Sequence, residues 1–289
     1  MKILIYSYNY NWRFGGIVVL HKLADLIAQL GYETYIIGEN EYNPRRNLTQ
    51  INQELALRIA NDPNTVVIYP EIIKGNPLKA KHVARWVLYF PGFHGGDKAF
   101  DANEYVFTFN QEFVANTIYS SVQVIKIIDT MVDNFFDMGL DRNKDAILIK
   151  KGKENLEERE TQYLTPLIVH LYDLVSADEV IKKCQNISDF NRELNRFRYF
   201  ISYDHYTYHN VLAALAGCVS IVIPTKEKTE EDFFLENPGR RNYVSYGFQD
   251  SYQSQTDQRL LRAELNKIDS SNILNAEKLV KSLQSHFKL

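Results

Sequence analysis

Cysteine is almost absent from the chain: Cys184 and Cys218 are the two in 289 residues, with no metal-ligand spacing between them. That excludes a disulfide-stapled scaffold and fits a reducing compartment, with one bridge between the pair as the alternative. A surplus of positive charge is also missing, since 33 Lys and Arg face 36 Asp and Glu for a net charge of −3. Neither half is basic, so nucleic acid is not an expected partner. Long apolar runs are lacking too. Ile3-Leu4-Ile5 is stopped by Tyr6-Ser7-Tyr8-Asn9, too short for a signal peptide or a membrane span, and the later runs are strand-sized. The expectation is a soluble, cytoplasmic protein with at most peripheral membrane contact. No repeat occurs, no G-x-G-x-x-G, and no Asp-x-Asp. Among seven histidines the single i,i+4 pair is His205 and His209, whose first member precedes the expected helix. No metal site is therefore expected.

What is present is an ordinary globular composition, 45% hydrophobic and 24% charged, at a length that allows two domains. Aromatic residues stand out, with 19 Tyr and 16 Phe. Most such rings belong in cores and at edges, but flat amphipathic rings also suit a polar cleft.

The opening reads as a βαβ unit. Ile3–Tyr6 is a buried strand, Gly15-Gly16 marks a turn, and apolar positions 19, 20, 23, 26, 27 and 30 recur at helical spacing. Gly31 ends that helix, and 33–38 is the next strand. A helix is expected at 49–60, with strands at 65–69, 83–89, 105–107 and 122–128. The pattern restarts with a strand at 145–150, and the polar stretch 137–144 is the expected boundary. Domains 1–140 and 141–289 follow, the final helix being able to pack back on the first. Further expectations are a helix at 177–184, strands at 199–202 and 219–223, a helix at 208–216, and a helical tail with its apolar stripe at 276, 279, 280, 283 and 287. Two βα-rich halves imply α/β architecture with two Rossmann-like domains facing each other across a cleft, ligands sitting at the carboxyl ends of strands.

The richest stretch is Phe200-Ile201-Ser202-Tyr203-Asp204-His205-Tyr206-Thr207-Tyr208-His209-Asn210-Val211, running through a small-residue helix to Gly217-Cys218 and a second strand ending at Pro224. The turn sets a helix start at the sheet edge, where amides and the helix dipole favour phosphate. The plainer reading is that Asp204 or Thr207 simply caps the helix.

Ser202, Tyr203, Asp204, Thr207, Ala213, Ala214, Leu215, Gly217, Cys218, Ser220, Val222 and Pro224 give this stretch a form that resembles the donor-binding signature of GT-B glycosyltransferases of the bacterial or viral polysaccharide type. Pro70–Pro77, Arg85–Gly92, Ile149–Lys153 and Asn242–Gly247 agree with that subgroup. The resemblance implies a nucleotide-sugar donor on the second domain and an acceptor on the first, with no cofactor and no metal. It makes Lys151 and Lys153 the neutralisers of the donor diphosphate. Thr207, Tyr208 and the amides near His209 would then hold phosphate oxygens, while Tyr203, Asp204 and His205 line the nucleotide or sugar. Where many GT-B enzymes carry a ribose-binding glutamate this chain has Leu212, which shifts ribose contacts toward Asn210 or His209. Gly15 and Gly16 would let the backbone approach the donor, or form a tight turn and nothing more.

For catalysis the candidates are Glu71, His94 and Asp97, all in loops after strands, with His94 inside the glycine-rich Pro91–Asp97. An inverting transfer needs a base at the acceptor hydroxyl; a retaining one needs charge on the leaving phosphate. The expected function is sugar transfer from a nucleotide-diphosphate donor to a glycan or lipid-linked acceptor, as in polysaccharide biosynthesis. A sugar-nucleotide epimerase of GT-B-like architecture and a non-catalytic nucleotide- or glycan-binding module are the alternatives.

Overall fold

The structure, a computed structural model, describes residues 1–38, 48–150, 173–225, 228–236, 238–248 and 257–289. The chain divides into two compact units, Met1–Asp129 with Ile268–Leu289, and Thr130–Lys267. The first break precedes the polar stretch 137–144. The residues just before that stretch are tied to the second unit: the amides of Phe136 and Met138 donate to Asn191 and Asn195, and the Asn195 amide returns a bond to the Phe136 carbonyl.

In the first unit, β1 (Lys2–Ile5) runs into α1 (Gly15–Gln29) and β2 (Glu33–Ile37). Gly31, at φ +86°, takes the left-handed position that ends α1. Then follow β3 (Thr49–Ile51), α2 (Gln53–Ala60), β4 (Thr65–Pro70), β5 (His82–Val87), β6 (Tyr105–Thr108) and β7 (Gln123–Val124). All seven strands pair in parallel, in the order β3-β2-β1-β4-β5-β6-β7. The expected helix at 49–60 is shorter because Thr49–Ile51 pairs with Tyr35–Ile37, and Asn52 caps what remains by accepting from the Leu55 amide at 2.9 Å. The expected strand at 122–128 reduces to two paired residues, although Ile125 and Ile127 stay fully buried. One face of the sheet packs Ile3, Ile5, Val66, Ile68 and Trp86 against α1 and against Ala276, Leu279, Val280 and Leu283 of the last helix. The other face packs Leu4, Val67 and Tyr69 against Ala56 and Ala60 of α2.

In the second unit, β8 (Asn143–Lys150), β9 (Asp173–Ser176), α3 (Ala177–Lys183), α4 (Ile187–Leu194), β10 (Phe197–Ser202), α5 (His209–Leu215), β11 (Val219–Val222), α6 (Glu230–Glu236) and β12 (Ser245–Tyr246) build a parallel five-stranded sheet. Its order is β12-β11-β10-β8-β9. Ile147, Ile149, Ile201, Tyr203, Ile221 and Ile223 form its core cluster. Gly217, at φ +87°, ends α5, and a Cβ there would lie 2.5 Å from the side chains of Arg142 and Asp137. Arg142 uses that space to donate to the Ala216 and Phe197 carbonyls at 2.6 and 2.9 Å, so a cation closes the carbonyl end of the helix. The last helix, α7 (Gln258–Phe287), is continuous through the second chain crossing between the units. Both cysteines are buried and neither forms a disulfide, and burial pushes the Cys218 thiol up to about 12. No helix among the described residues is long and apolar enough to cross a membrane.

Candidate active site

A parallel sheet opens a crevice where the strand order reverses, because the loops leaving two adjacent strands turn to opposite faces. In the second unit that reversal lies between β8 and β10. The residues at its carboxyl edge are therefore Lys150 and the loop Tyr203–Tyr208.

The loop is held by its own hydrogen bonds. Ser202 Oγ accepts from the Asp204 amide and donates to the Asp204 carbonyl, both at 3.0 Å. Asp204 Oδ1 accepts from the Tyr206 amide at 2.9 Å, and the Asp204 carbonyl accepts from the Thr207 amide at 3.4 Å. Thr207 Oγ1 accepts from the His209 amide at 3.3 Å and bonds His209 Nδ1 at 2.8 Å. Asp204 and Thr207 thus do the local capping that their residue types favour. α5 spans seven residues, and the amide that opens it is already bonded to Thr207.

Two of the loop's histidines face inward. His205 is buried, with Nε2 2.8 Å from the Ile223 carbonyl and its ring against Phe233 and Tyr246. His209 sets its ring edge-on to Phe190, and burial, helped by the Lys150 charge, pushes its pKa down to about 3. Asn210 is fully buried; its Oδ1 accepts from Ser220 Oγ at 3.2 Å and its Nδ2 has no partner. Tyr208 donates to the Thr130 carbonyl at 3.2 Å.

Cations surround this loop. On the β8 side Lys150 pairs with Asp178. On the β11–β12 side Lys228 Nζ lies 5.1 Å from the centre of the Tyr206 ring. Arg240, in the 3₁₀ turn Pro238–Asn242, carries a buried Nη1 without a hydrogen-bond partner among the described residues. Burial lowers its pKa, while Tyr243, Tyr208 and Asp204 act in the opposite direction.

The first unit reverses its strand order between β1 and β4. Glu71 follows β4, is buried, and its Oε2 accepts from the Leu88 amide at 3.0 Å. Gly92, Gly95 and Gly96 all have positive φ, and a Cβ on Gly96 would lie 2.1 Å from the Glu71 carbonyl oxygen. Only glycine lets the 91–97 loop press onto Glu71. Asp97 Oδ2 accepts from the Gly75 amide at 2.7 Å, which joins this loop to the 71–79 loop. His94 is exposed at the tip, its ring centroid 4.8 Å from Phe93 and 5.4 Å from Tyr89. Beneath lies Arg85, fully buried. It makes a two-point pair with Glu104 at 2.8 and 2.9 Å and donates to the carbonyls of Ile73 and Gly75 at 2.7 and 2.8 Å.

A cavity of about 610 Å³ opens at the carboxyl ends of β1 and β2, lined by Ser7, Tyr8, Asn11, Phe14 and Ile17. Gly15 and Gly16 are the first residues of α1 behind it, exposed and without positive φ, and Phe14 gives that helix no side-chain cap. The glycines are not needed for a turn; what they leave is uncovered backbone at a helix start. A groove of about 660 Å³ beside Tyr105, Gln123 and Lys278 lies at the amino ends of β6 and β7, the wrong edge for a ligand of this sheet type.

No protein-family model and no curated protein sequence matches the chain. Solved structures do. A glycosyltransferase from Rickettsia africae ESF-5 matches with a TM-score of 0.54 at 10% identity, over 99% of this chain and 98% of its own. The T4 phage β-glucosyltransferase matches with a TM-score of 0.51 at 10% identity over the whole of both chains. The same phage enzyme in complex with its UDP-glucose substrate gives 0.50, again at 10% identity and full coverage. The fold is GT-B.

On this GT-B chain, Tyr203, Asp204, His205, Thr207, Tyr208, His209 and Asn210 come together around one strand end, while Glu71, His94 and Asp97 share one pair of loops. Lys151 and Lys153 lie outside the described residues. Sequence reasoning missed Arg85, Lys228 and Arg240 as parts of these sites. Local pattern marks none of them, for a lysine beside Glu227 or an arginine beside Arg241 reads as ordinary surface. Among the described residues no three His, Cys, Asp or Glu side chains gather as a metal site would require.

Proposed function

We propose that the chain is a glycosyltransferase that moves a sugar from a nucleoside-diphosphate donor to a glycan or lipid-linked acceptor, without a metal, as a cytoplasmic enzyme of polysaccharide synthesis. The observation that carries this reading is the Tyr203–Tyr208 loop at the strand reversal of the second unit, ringed by Lys150, Lys228 and Arg240. Such an edge suits a diphosphate, and the T4 enzyme of the same fold takes UDP-glucose. Lys151 and Lys153 are read as further neutralisers of the donor diphosphate, on the family resemblance alone.

In the first unit, the cavity beside Ser7 and Tyr8 is the acceptor pocket. His94 is the base that takes the acceptor hydroxyl proton as that oxygen bonds to the anomeric carbon and the bond from this carbon to the diphosphate oxygen breaks, releasing the nucleoside diphosphate. Glu71 and Asp97, each accepting from a backbone amide, hold the His94 loop in place.

The test is release of nucleoside diphosphate from a panel of nucleotide sugars, with and without oligosaccharide or lipid-linked acceptors and with EDTA present. Turnover of at least one donor, lowered about 100-fold in kcat by His94→Gln with an unchanged melting temperature, is the expected outcome. Absence of turnover with every donor overturns the enzyme assignment, and an epimerised but untransferred sugar replaces it with isomerisation.

A further inference from the structure

Much of the loop's backbone in the second unit is already committed. The amides of Tyr203, Asp204, Tyr206, Thr207 and His209 donate within the protein. What the loop has in excess is cationic side chains. Lys150 is satisfied by Asp178. Arg240 is different: it is half-buried, and its Nη1 is shut off from water with no hydrogen-bond partner among the described residues, where the charges of Tyr243, Tyr208 and Asp204 reach it. A guanidinium nitrogen withdrawn from water without an acceptor is costly. Its neighbour Arg241 shows the ordinary solution, with its guanidinium over the Phe234 ring and an ion pair to Glu230. Asp204 makes no hydrogen bond to the Arg240 Nη1; its Oδ1 accepts from the Tyr206 amide. Lys228, over the Tyr206 ring, adds a second positive charge to the same flank.

We infer that Arg240, assisted by Lys228, is a phosphate-recognition residue of this protein, completed by phosphoryl oxygens of a ligand seated on the Tyr203–Tyr208 loop. A planar guanidinium offers two parallel N–H donors to a phosphoryl group, which a lysine does not. The inference rests on the donor reading above for the identity of the ligand, but it places the diphosphate grip on the β11–β12 flank of the loop, opposite Lys150.

Inorganic pyrophosphate is the probe, since it tests the grip without a base or a sugar. Calorimetry and thermal shift are run on the full chain and on Arg240→Gln, Arg240→Lys, Lys228→Gln and, as a distant surface control, Lys183→Gln. Pyrophosphate should bind the parent chain and the control alike, about tenfold more weakly to Arg240→Gln, and with intermediate affinity to Arg240→Lys and Lys228→Gln. The ligand-free melting temperature of Arg240→Gln should equal or exceed that of the parent, because a buried charge has been removed; a merely structural arginine would lower it. Equal stabilisation of Arg240→Gln and parent by pyrophosphate overturns the inference, as does failure of the parent to bind it at millimolar concentration. Should Arg240→Gln not fold, Arg240→Lys decides: unchanged pyrophosphate affinity in that variant overturns the inference. Binding through Arg240 in a chain that turns over no nucleotide sugar upholds the phosphate site and overturns the functional reading instead.

Discussion

The two units share a plan and differ in how completely each satisfies an arginine beside its sheet. In the first unit Arg85 is closed on every side: Glu104 takes two of its donors, the carbonyls of Ile73 and Gly75 take two more, and Tyr69 and Phe100 sandwich it at 5.1 Å. In the second unit Arg240 is half-buried, and its Nη1 alone is shut off from water, without a partner among the described residues. The same residue type therefore serves two ends. A saturated guanidinium fixes loop shape, here the 71–79 loop against which Asp97 docks, whereas an unsaturated one is a standing demand for an anion.

The strongest way to break this contrast is Arg85→Ala. It leaves the Glu104 carboxylate buried and alone, so unfolding free energy should fall by about 3–5 kcal/mol, read by urea denaturation. A loss like that of an exposed ion pair would erase the difference between the two arginines. Next in size, Asp204→Ala and Thr207→Ala should each weaken UDP binding about tenfold while costing about 1 kcal/mol of stability, compared by calorimetry and denaturation. Unchanged UDP affinity in folded variants would remove the loop from the donor site. The last effect is absent at neutral pH, grows as pH falls, and concerns His209. Its folded pKa of about 3 lies below the ordinary 6.5, so the unfolded chain binds the extra proton first. Stability from this group is complete above pH 6.5 and drains away as pH falls toward 3. Melting temperature should decline over that window and decline less in His209→Asn.

Much of the fold is legible where a local pattern meets a matching partner. Ile3–Ile5, Thr65–Tyr69, Ile147–Ile149 and Val219–Val222 are apolar runs that become central strands. The stripe at 276, 279, 280 and 283 is buried as its spacing requires. Reading fails where partners decide. Thr49–Ile51 looks helical until β2 offers it a ladder, and β12 is two residues long with nothing but β11 to define it. In the candidate site, Asp204 and Thr207 are visible because turn chemistry is local. Arg85 and Arg240 are invisible because burial of a charge, and whether Glu104 or nothing answers it, depends on residues far away in the chain.

The last helix carries a consequence for how the protein is made. Ala276, Leu279, Val280 and Leu283 complete a core whose other members include Ile3, Leu20, Ile68 and Trp86. Domains ordinarily fold in the order in which the ribosome releases them. Here the unit that emerges first stays open along one face of its sheet until residue 283 has emerged, after every strand of the second unit has been synthesised. The nascent chain thus carries an uncovered apolar surface through most of its synthesis, and a ribosome stalled before residue 276 would hold a first unit that cannot close.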